Sequence, residues 1–234
     1  MEHNKRTEPE ADLELSLLRH GQTRWNAERR YLGHTDLPLF PGARDELLLR
    51  RDQPELSASF WRVYCSDLLR CRETLACVAP ELISRARYDL RLRELNFGAW
   101  EGCTYEQLQH NKQYRSWVDD PAAVTPPKGE AWGAFTARLQ HFLDELGQAA
   151  EQWHQAHQDH QDHQDHQEHQ EHQDHQTHPV ATQPLRVLIV THGGVIRQLR
   201  AWSEAELSFY NAPAPPPGGI TTIRLRMENG NWRF

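Results

Sequence analysis

The sequence predicts a single α/β domain built around a buried sheet. Two apolar stretches, Leu13 to Leu18 and Arg186 to Thr191, have the pattern of strands that enter a buried sheet. Both lead into a histidine followed by a glycine, at His20 and at His192. Between them, leucines at helical spacing alternate with shorter apolar runs. The chain has 234 residues, which is long enough for one such domain with an insertion.

The region after the first strand is predicted to be a loop followed by a helix. Gly33, Asp36 and Pro38 are typical of an irregular loop, and we expect this loop to border the pocket because it follows the first His-Gly pair. Leucines at helical spacing predict a helix from Gly42 to Arg51, and Pro54 is expected to end it.

A second strand and a second helix follow. Trp61 to Cys65 is predicted to be a short strand. Either Ser66 or Asp67 is expected to cap the next helix, since both side chains accept hydrogen bonds from free backbone N–H groups. Arg70 then falls in the first turn of that helix, where the helix dipole favours anions.

The second half of the chain is predicted to contain a packed loop, two helices and a final hairpin. Leu90 to Gly102 has the glycines and aromatic residues of a packed loop and carries two carboxylates, Glu94 and Glu101. The other predicted elements are a helix from Tyr105 to Trp117, a helix from Trp132 to about Trp153 with an apolar face (Phe135, Leu139, Phe142, Leu143 and Leu146), a Pro/Gly loop at 211–219, a strand from Ile220 to Met227 and a hairpin turn at Asn229-Gly230.

A histidine falls at every third position from His154 to His178, mostly in Gln-Asp-His or Gln-Glu-His triplets. The tract contains one alanine and no other apolar residue, so it has nothing to bury in a core. We predict an insertion at 154–183 that is disordered or forms an exposed extension of the preceding helix. It precedes a strand, so it should enter at the amino edge of the sheet. Its imidazoles also raise the alternative of a non-catalytic metal-binding protein.

Composition narrows the class of protein. The net charge of −7 disfavours nucleic-acid binding, and no apolar run approaches the roughly 20 residues of a membrane span. Residues 1–12 are polar, lack the apolar core of a signal peptide and are expected to be a disordered tail, with the domain at 13–234. The four cysteines form no CxxC pair, which favours free thiols in the cytoplasm. No cofactor is expected. The sequence does not decide the oligomeric state, and a homodimer is one of the alternatives.

Side chains suited to phosphate chemistry follow the predicted strands. Arg19 offers a planar fork that matches two phosphate oxygens, and the imidazole of His20 is a nucleophile near neutral pH. Both lie at the edge where open α/β sheets bind ligands. Arg70, Glu94 and His192 add a second cation, a carboxylate and a second imidazole. Positive neighbours should lower the pKa of the histidine nucleophile and keep it neutral.

The order and spacing of these motifs resemble the histidine phosphatase superfamily, the phosphoglycerate mutase-like proteins. The motifs are Arg19-His20-Gly21-x-Thr23-x-x-Asn26, Ser66-Asp67-Leu68-x-Arg70, Glu94-x-x-Phe97-Gly98-x-Trp100-Glu101-Gly102 and Thr191-His192-Gly193-Gly194. The resemblance covers nearly the whole chain except the N-terminal tail and the histidine tract. It implies a three-layer α/β/α sandwich with a mostly parallel central sheet and a phosphatase that needs no metal.

The resemblance also implies a role for individual residues. His20 matches the nucleophile that becomes phosphohistidine, and Glu94 matches the proton donor. Glu101 is expected to be structural, and Cys71, where relatives commonly have alanine, should affect packing more than chemistry. The phosphate-binding residues implied are Arg19, Asn26, Gly33, Arg70, His192 and Gly193.

Within the superfamily, three patterns resemble the alpha-ribazole phosphatases. They are Gly33-x-Thr35-Asp36-x-Pro38-Leu39, Phe97-Gly98-x-Trp100-Glu101-Gly102 and Pro127-Lys128-Gly129-Glu130. This resemblance implies hydrolysis of alpha-ribazole 5′-phosphate, a small-molecule ester, in cobalamin biosynthesis. The region after Glu94 lacks the longer lid with paired basic residues that mutases carry. A broad-specificity histidine phosphatase and a phosphoglycerate mutase-like enzyme remain as alternatives.

Overall fold

A sheet of six strands forms the centre of the part of the chain that the computed structural model describes, residues 12–56, 59–168, 184–228 and 231–233. The strands are β1 (Asp12–Arg19), β2 (Arg62–Cys65), β3 (Ala86–Tyr88), β4 (Leu185–Thr191), β5 (Ile220–Glu228) and β6 (Asn231–Arg233). Their order is β3-β2-β4-β1-β5-β6. The pairs β3-β2, β2-β4 and β4-β1 are parallel, whereas β5 and β6 add antiparallel at one edge.

Helices connect these strands and cover both faces of the sheet. They are α1 (Arg24–Ala27), α2 (Ala43–Leu48), α3 (Leu69–Val78), α4 (Tyr105–Leu108), α5 (Lys112–Asp119), α6 (Trp132–Glu168) and α7 (Gly193–Ser203), with short 3₁₀ helices at Pro80–Arg85, Leu90–Leu92 and Gly98–Trp100. One apolar core packs α6 and α7 against one face of the sheet. A second core packs α2 and α3 against the other face. The predicted three-layer α/β/α sandwich is therefore confirmed.

The register of the parallel strands brings the two His-Gly motifs to the same edge. Arg19 at the end of β1 pairs with Thr191 at the end of β4. His20 and His192 are the next residues, so both leave the sheet at its carboxyl edge. Cys65 at the end of β2 pairs with Val190, which places the following Ser66 at this edge too.

The start of α3 differs from the prediction. The helix begins at Leu69, and neither Ser66 nor Asp67 caps it. The carboxylate of Asp36 accepts a hydrogen bond from the backbone N–H of Leu69 at 2.7 Å, so the cap comes from a distant loop. Ser66 and Asp67 are free to make other contacts, the first with His192 and the second an ion pair with Arg93.

Other predicted boundaries also shift. The helix predicted at Gly42 to Arg51 ends at Leu48, before the proline expected to end it. The single helix predicted at Tyr105 to Trp117 is two helices, because Asn111 caps a new helix by accepting a hydrogen bond from the N–H of Tyr114. Strand β3 was not predicted at all, and it is only three residues long.

The predicted apolar face of α6 is confirmed, since Phe135, Leu139, Phe142, Leu143 and Leu146 are all buried in the core. The helix does not end near Trp153 but continues through the first part of the histidine tract to Glu168. The tract is therefore helical as far as Glu168, but its first residue, His154, is buried rather than exposed, and residues 169–183 lie outside the described residues. The ring of Trp153 lies 6.5 Å from that of Trp61, just before β2, so the tract leaves at the amino edge of the sheet.

Three smaller predictions concern the ends and the thiols. Asp12, assigned to the disordered tail, is the first residue of β1, and residues 1–11 lie outside the described residues. Strands β5 and β6 pair through Glu228 and Asn231, as the hairpin prediction requires. Cys65, Cys71, Cys77 and Cys103 are free.

Among the helices described, none is both long and apolar enough to cross a membrane.

Candidate active site

Two histidine rings face each other at the carboxyl edge of the sheet. The ring centroids of His20 and His192 are 5.1 Å apart, and both side chains are buried. Nδ1 of His20 lies 2.7 Å from the carbonyl oxygen of Gly21. A carbonyl can only accept a hydrogen bond, so Nδ1 carries the proton and Nε2 keeps its lone pair. The backbone therefore selects the tautomer in which Nε2 of His20 is unprotonated and has a free lone pair.

The pKa of His20 is lowered well below its ordinary value. Burial is the main cause, and the positive charges of Arg70 and Arg19 add to it. The sequence correctly predicted the direction of this shift from the two arginines, but it did not reveal that burial contributes more. The result is a neutral imidazole at and below neutral pH, as a histidine nucleophile requires.

Arg70 is fully buried and held by three acceptors. Its guanidinium donates to the carbonyl oxygens of Gly33 at 2.7 Å and Thr35 at 3.0 Å, and its Nε donates to Nδ1 of His192 at 3.2 Å. A guanidinium has five N–H groups, so two remain for an anion. Since Nδ1 of His192 accepts, its Nε2 carries the proton and donates to the hydroxyl of Ser66 at 2.9 Å.

Arg19 presents a second donor. One guanidinium nitrogen donates to the carbonyl oxygen of Pro215 at 2.9 Å, and its Nε is buried without a hydrogen-bond partner. The guanidinium lies against Gly193, where an added Cβ would be 3.4 Å from three of its atoms. A partly buried cation with an unsatisfied N–H is suited to bind an oxyanion.

Glu94 is buried and held by two backbone groups. Its Oε1 accepts from the N–H of Leu95 at 3.0 Å, and its Oε2 accepts from the N–H of Gly194, in the first turn of α7, at 2.8 Å. Its own carbonyl oxygen accepts from Nε2 of His34 and from Arg138, each at 2.9 Å. The carboxylate is therefore fixed against the helix that follows His192.

The absence of a side chain at Gly194 allows this contact. An added Cβ there would lie 2.2 Å from Oε1 of Glu94, so Gly194→Ala must displace the carboxylate. We expect kcat/KM for a phosphate ester to fall about 10- to 100-fold, since small misplacements of catalytic groups cost this much. The matched control is Gly133→Ala in α6, where an added Cβ meets nothing within 4 Å. Equal activity of the two variants would contradict this role of Gly194.

Two further predicted phosphate-binding residues have other partners, as both ring nitrogens of His192 do. Gly33 lies behind Arg70 and accepts its hydrogen bond, and an added Cβ would lie 2.4 Å from the backbone oxygen of Leu95. The amide oxygen of Asn26 accepts from the N–H and the hydroxyl of Thr23, as part of a helix cap. Only the amide nitrogen of Asn26 is left as a donor to an anion.

Glu101 is structural, as expected. Its carboxylate accepts hydrogen bonds from the backbone N–H groups of His34 and Thr35 and from the Thr35 hydroxyl. It thereby fixes the loop whose carbonyl groups hold Arg70. The Sγ of Cys71 lies 3.5 Å from Nε2 of His192, and burial raises the pKa of the thiol to about 12, so the thiol stays neutral. That Cys71 affects packing more than chemistry stays a prediction.

Two positioning residues were missed by the sequence analysis. His34 donates to the backbone of Glu94. Thr74, one turn after Arg70, accepts from the N–H of Gly21 at 2.8 Å and donates to the carbonyl oxygen of Arg70 at 2.6 Å. Thr74 therefore connects the backbone directly after His20 to helix α3, which carries Arg70. The only sequence feature that could have indicated this role is that Thr74 lies four residues after Arg70, on the same helix face, and this feature is weak.

Stability should fall on mild acidification. Burial lowers the pKa of both His20 and His192 well below the ordinary value. Below a pH of about 6.5 these two histidines bind protons in the unfolded chain but stay neutral in the folded chain. The free energy of unfolding should therefore fall by about 1 kcal/mol per buried histidine between pH 6.5 and pH 5.5. Urea unfolding at these two pH values measures the loss. A free energy of unfolding that is constant or rises between them would contradict the predicted burial of neutral imidazoles.

No group of three or more His, Cys, Asp or Glu side chains suited to a metal ion occurs in the described part of the chain. The geometry instead assembles a neutral imidazole with a free lone pair, two guanidinium groups with unused donors, a second imidazole and a carboxylate. The predicted juxtaposition of His20, His192 and Arg70 is confirmed, whereas the catalytic roles stay predictions.

Comparison with known proteins gives one family. The family model described as histidine phosphatase superfamily (branch 1) matches residues 15–156, a range that contains Arg19, His20, Arg70 and Glu94 but not His192. The adenosylcobalamin/alpha-ribazole phosphatase of Salmonella typhimurium is 33% identical over 140 residues, which are 57% of this chain and 67% of that protein. A Shigella dysenteriae protein named "Probable phosphoglycerate mutase GpmB" is 32% identical over 135 residues, 56% of this chain and 62% of that protein.

Solved structures support the same fold. The crystal structure of the alpha-ribazole phosphatase from Shigella flexneri matches with a TM-score of 0.65 and covers 94% of both chains. The two sequences are 23% identical, so this likeness concerns the architecture. It extends over the carboxyl-terminal part of the chain that the family model does not match.

Proposed function

The chain belongs to the histidine phosphatase superfamily, and from this membership we propose that it hydrolyses phosphate monoesters through a phosphohistidine formed on Nε2 of His20. The observation that carries the proposal is the hydrogen bond from Nδ1 of His20 to the carbonyl oxygen of Gly21. It leaves a neutral Nε2 beside Arg70 and His192. This is the atom that an in-line attack on phosphorus needs.

The first step transfers the phosphoryl group to the enzyme. The lone pair of Nε2 forms a bond to phosphorus while the ester P–O bond breaks, and the departing oxygen takes a proton from the carboxyl group of Glu94. The unused N–H groups of Arg19 and Arg70 stabilise the charge on the phosphoryl oxygens. The contacts of Glu94 with Leu95 and Gly194 hold the acid in place during this step.

The second step releases inorganic phosphate. The carboxylate of Glu94 takes a proton from water, the resulting hydroxide attacks phosphorus, and the P–N bond breaks. His20 regains its neutral form and Glu94 its proton, so the site returns to its starting state. His192 keeps Arg70 in position through Nδ1, and Asn26 and Gly193 are proposed to complete the phosphate site.

The substrate that we propose is alpha-ribazole 5′-phosphate, in cobalamin biosynthesis. The similarity to the Salmonella typhimurium adenosylcobalamin/alpha-ribazole phosphatase supports it, as do the three sequence patterns named above. The relative named as a phosphoglycerate mutase has almost the same identity, so mutase activity is the specific alternative. We propose the tract at 154–183 as an insertion outside the catalytic machinery.

A panel of phosphate esters tests this proposal. The full chain should release phosphate from p-nitrophenyl phosphate and alpha-ribazole 5′-phosphate with EDTA present, with the higher kcat/KM for the second ester. It should not interconvert 3- and 2-phosphoglycerate. Efficient interconversion would identify a mutase instead, and an equal kcat/KM across unrelated esters would indicate a broad phosphatase. Turnover that requires added metal would favour the metal-binding alternative.

A further inference from the structure

A third arginine lies beside the proposed catalytic residues and takes no part in the two proposed steps. Arg197 is on α7, four residues after Gly193 and therefore on the same face of the helix. Side chains of an α-helix point back toward its amino terminus. Because Gly193 has no side chain, the side chain of Arg197 has room to extend toward the carboxyl edge of the sheet, where the two His-Gly motifs meet.

The guanidinium of Arg19 lies in front of Gly193. An added Cβ at Gly193 would lie 3.4 Å from three atoms of this group. Burial lowers the pKa of Arg19, the charge of Glu94 opposes this shift, and the positive charge of Arg197 adds to it. The charges of Arg19 and Arg197 are therefore close enough to repel each other.

Arg197 is half-buried, and it forms no hydrogen bond or ion pair with the residues that the structure describes. By contrast, Arg200 on the same helix donates to the carboxylate of Glu204 at 2.8 Å and to the carbonyl oxygen of Pro213 at 3.0 Å. A half-buried cation that lies beside a second cation and has no anionic partner is unfavourable. A bound anion would remove this cost.

The degree of burial separates the roles of the three arginines. Arg70 is fully buried and fixed by three acceptors, whereas Arg19 and Arg197 are partly exposed. A partly exposed cation at a cleft attracts anions that are still in solution, because its field extends into the solvent. A guanidinium stays protonated and transfers no proton. Arg197 is therefore suited to binding rather than to a chemical step.

We propose that Arg197 is a substrate-capture residue, which attracts the phosphoryl dianion of a phosphate monoester and helps to hold it against Arg19. This inference rests on the proposed phosphatase function and adds a residue that sets the affinity for the substrate. Loss of the charge should weaken the binding of any phosphate dianion, whatever its alcohol part. The chemical steps should keep their rates, because neither of them uses Arg197.

Equilibrium binding of inorganic phosphate tests the charge without any turnover. At about pH 8 and low ionic strength, isothermal titration calorimetry of the full chain should give a Kd about 5- to 20-fold higher for Arg197→Gln than for the wild type. Arg197→Lys keeps the charge and should restore the affinity to within about threefold. In about 0.5 M NaCl the effect of Arg197→Gln should fall below about twofold, since salt screens a partly exposed charge.

Arg224→Gln is the matched control, because it also removes one positive charge but does so at the opposite edge of the sheet. Arg224 lies on β5 and pairs with Glu14 near the start of β1. This variant should bind phosphate as tightly as the wild type. An equal weakening by Arg224→Gln and Arg197→Gln would show that only the net charge matters and would overturn the proposal.

Steady-state kinetics with p-nitrophenyl phosphate separate this proposal from the proposed function. Arg197→Gln should raise KM about 5- to 20-fold and leave kcat within about twofold. Phosphate binding that depends on Arg197, in a wild type that hydrolyses no ester, would contradict the proposed function and still support the capture role. Near-ultraviolet circular dichroism checks that each variant is folded. Equal phosphate affinities of the wild type and Arg197→Gln, no rescue by folded Arg197→Lys, or a lower kcat at unchanged KM would each overturn the capture role.

Discussion

Replacement of His20 by alanine is expected to lower kcat/KM for p-nitrophenyl phosphate by a factor of about 10⁴ or more, because the variant lacks the atom that forms the covalent intermediate. The other imidazole of the site, His192, cannot replace it. Its Nδ1 accepts from Arg70 and its Nε2 donates to Ser66, so neither nitrogen offers a free lone pair. The measurement is steady-state turnover with EDTA present.

His141→Ala is the matched control for this variant. His141 is exposed on α6 and bonds Arg91, far in sequence from every proposed catalytic residue. It should keep wild-type turnover. If the folded His20→Ala variant kept wild-type turnover, His20 would not be the nucleophile. Urea unfolding of both variants separates loss of chemistry from loss of fold, since His20 is buried.

Glu94→Gln is expected to affect poor and good leaving groups differently. An alkyl phosphate needs a proton on its departing oxygen, so its hydrolysis should slow by about 10²- to 10⁴-fold. The p-nitrophenolate ion leaves without a proton, so the variant should still transfer the phosphoryl group of p-nitrophenyl phosphate to His20. The second step lacks its base, and the phosphoenzyme should accumulate. Rapid-quench kinetics should therefore show a burst of p-nitrophenol of about one equivalent, followed by slow turnover.

Glu101→Gln provides the comparison, since it changes a carboxylate of the same sequence motif. Its contacts are with the loop at His34 and Thr35. We expect a lower free energy of unfolding, no burst and no dependence on the leaving group. An equal slowing of both ester types in Glu94→Gln would contradict its role as proton donor.

The strands and their common edge could be predicted from sequence because they depend on local patterns. The apolar runs of β1 and β4 are long enough to identify buried parallel strands, and such strands end at one edge. The cap of α3 could not be predicted, because the capping carboxylate belongs to Asp36, in a loop that only the tertiary fold brings near Leu69. Strand β3 is too short to carry a periodic pattern.

The same distinction applies to the site. His20, Arg70 and His192 could be predicted as neighbours from motif order and strand ends. The tautomer of His20 could not, because a backbone carbonyl sets it and every residue type has one. The anchoring of Glu94 by the N–H of Gly194 was hidden for the same reason. Burial, the main cause of the low pKa of His20, is a property of the packed fold.

The most direct test of the account is to trap the phosphoenzyme. The Glu94→Gln variant is mixed with p-nitrophenyl phosphate, quenched in alkali, which preserves phosphohistidine, and digested for mass spectrometry. We expect one phosphoryl group on the peptide that contains His20, and none when His20 is also replaced by alanine. A phosphoryl group on any other residue, or a burst of p-nitrophenol without a phosphorylated peptide, would contradict attack by His20.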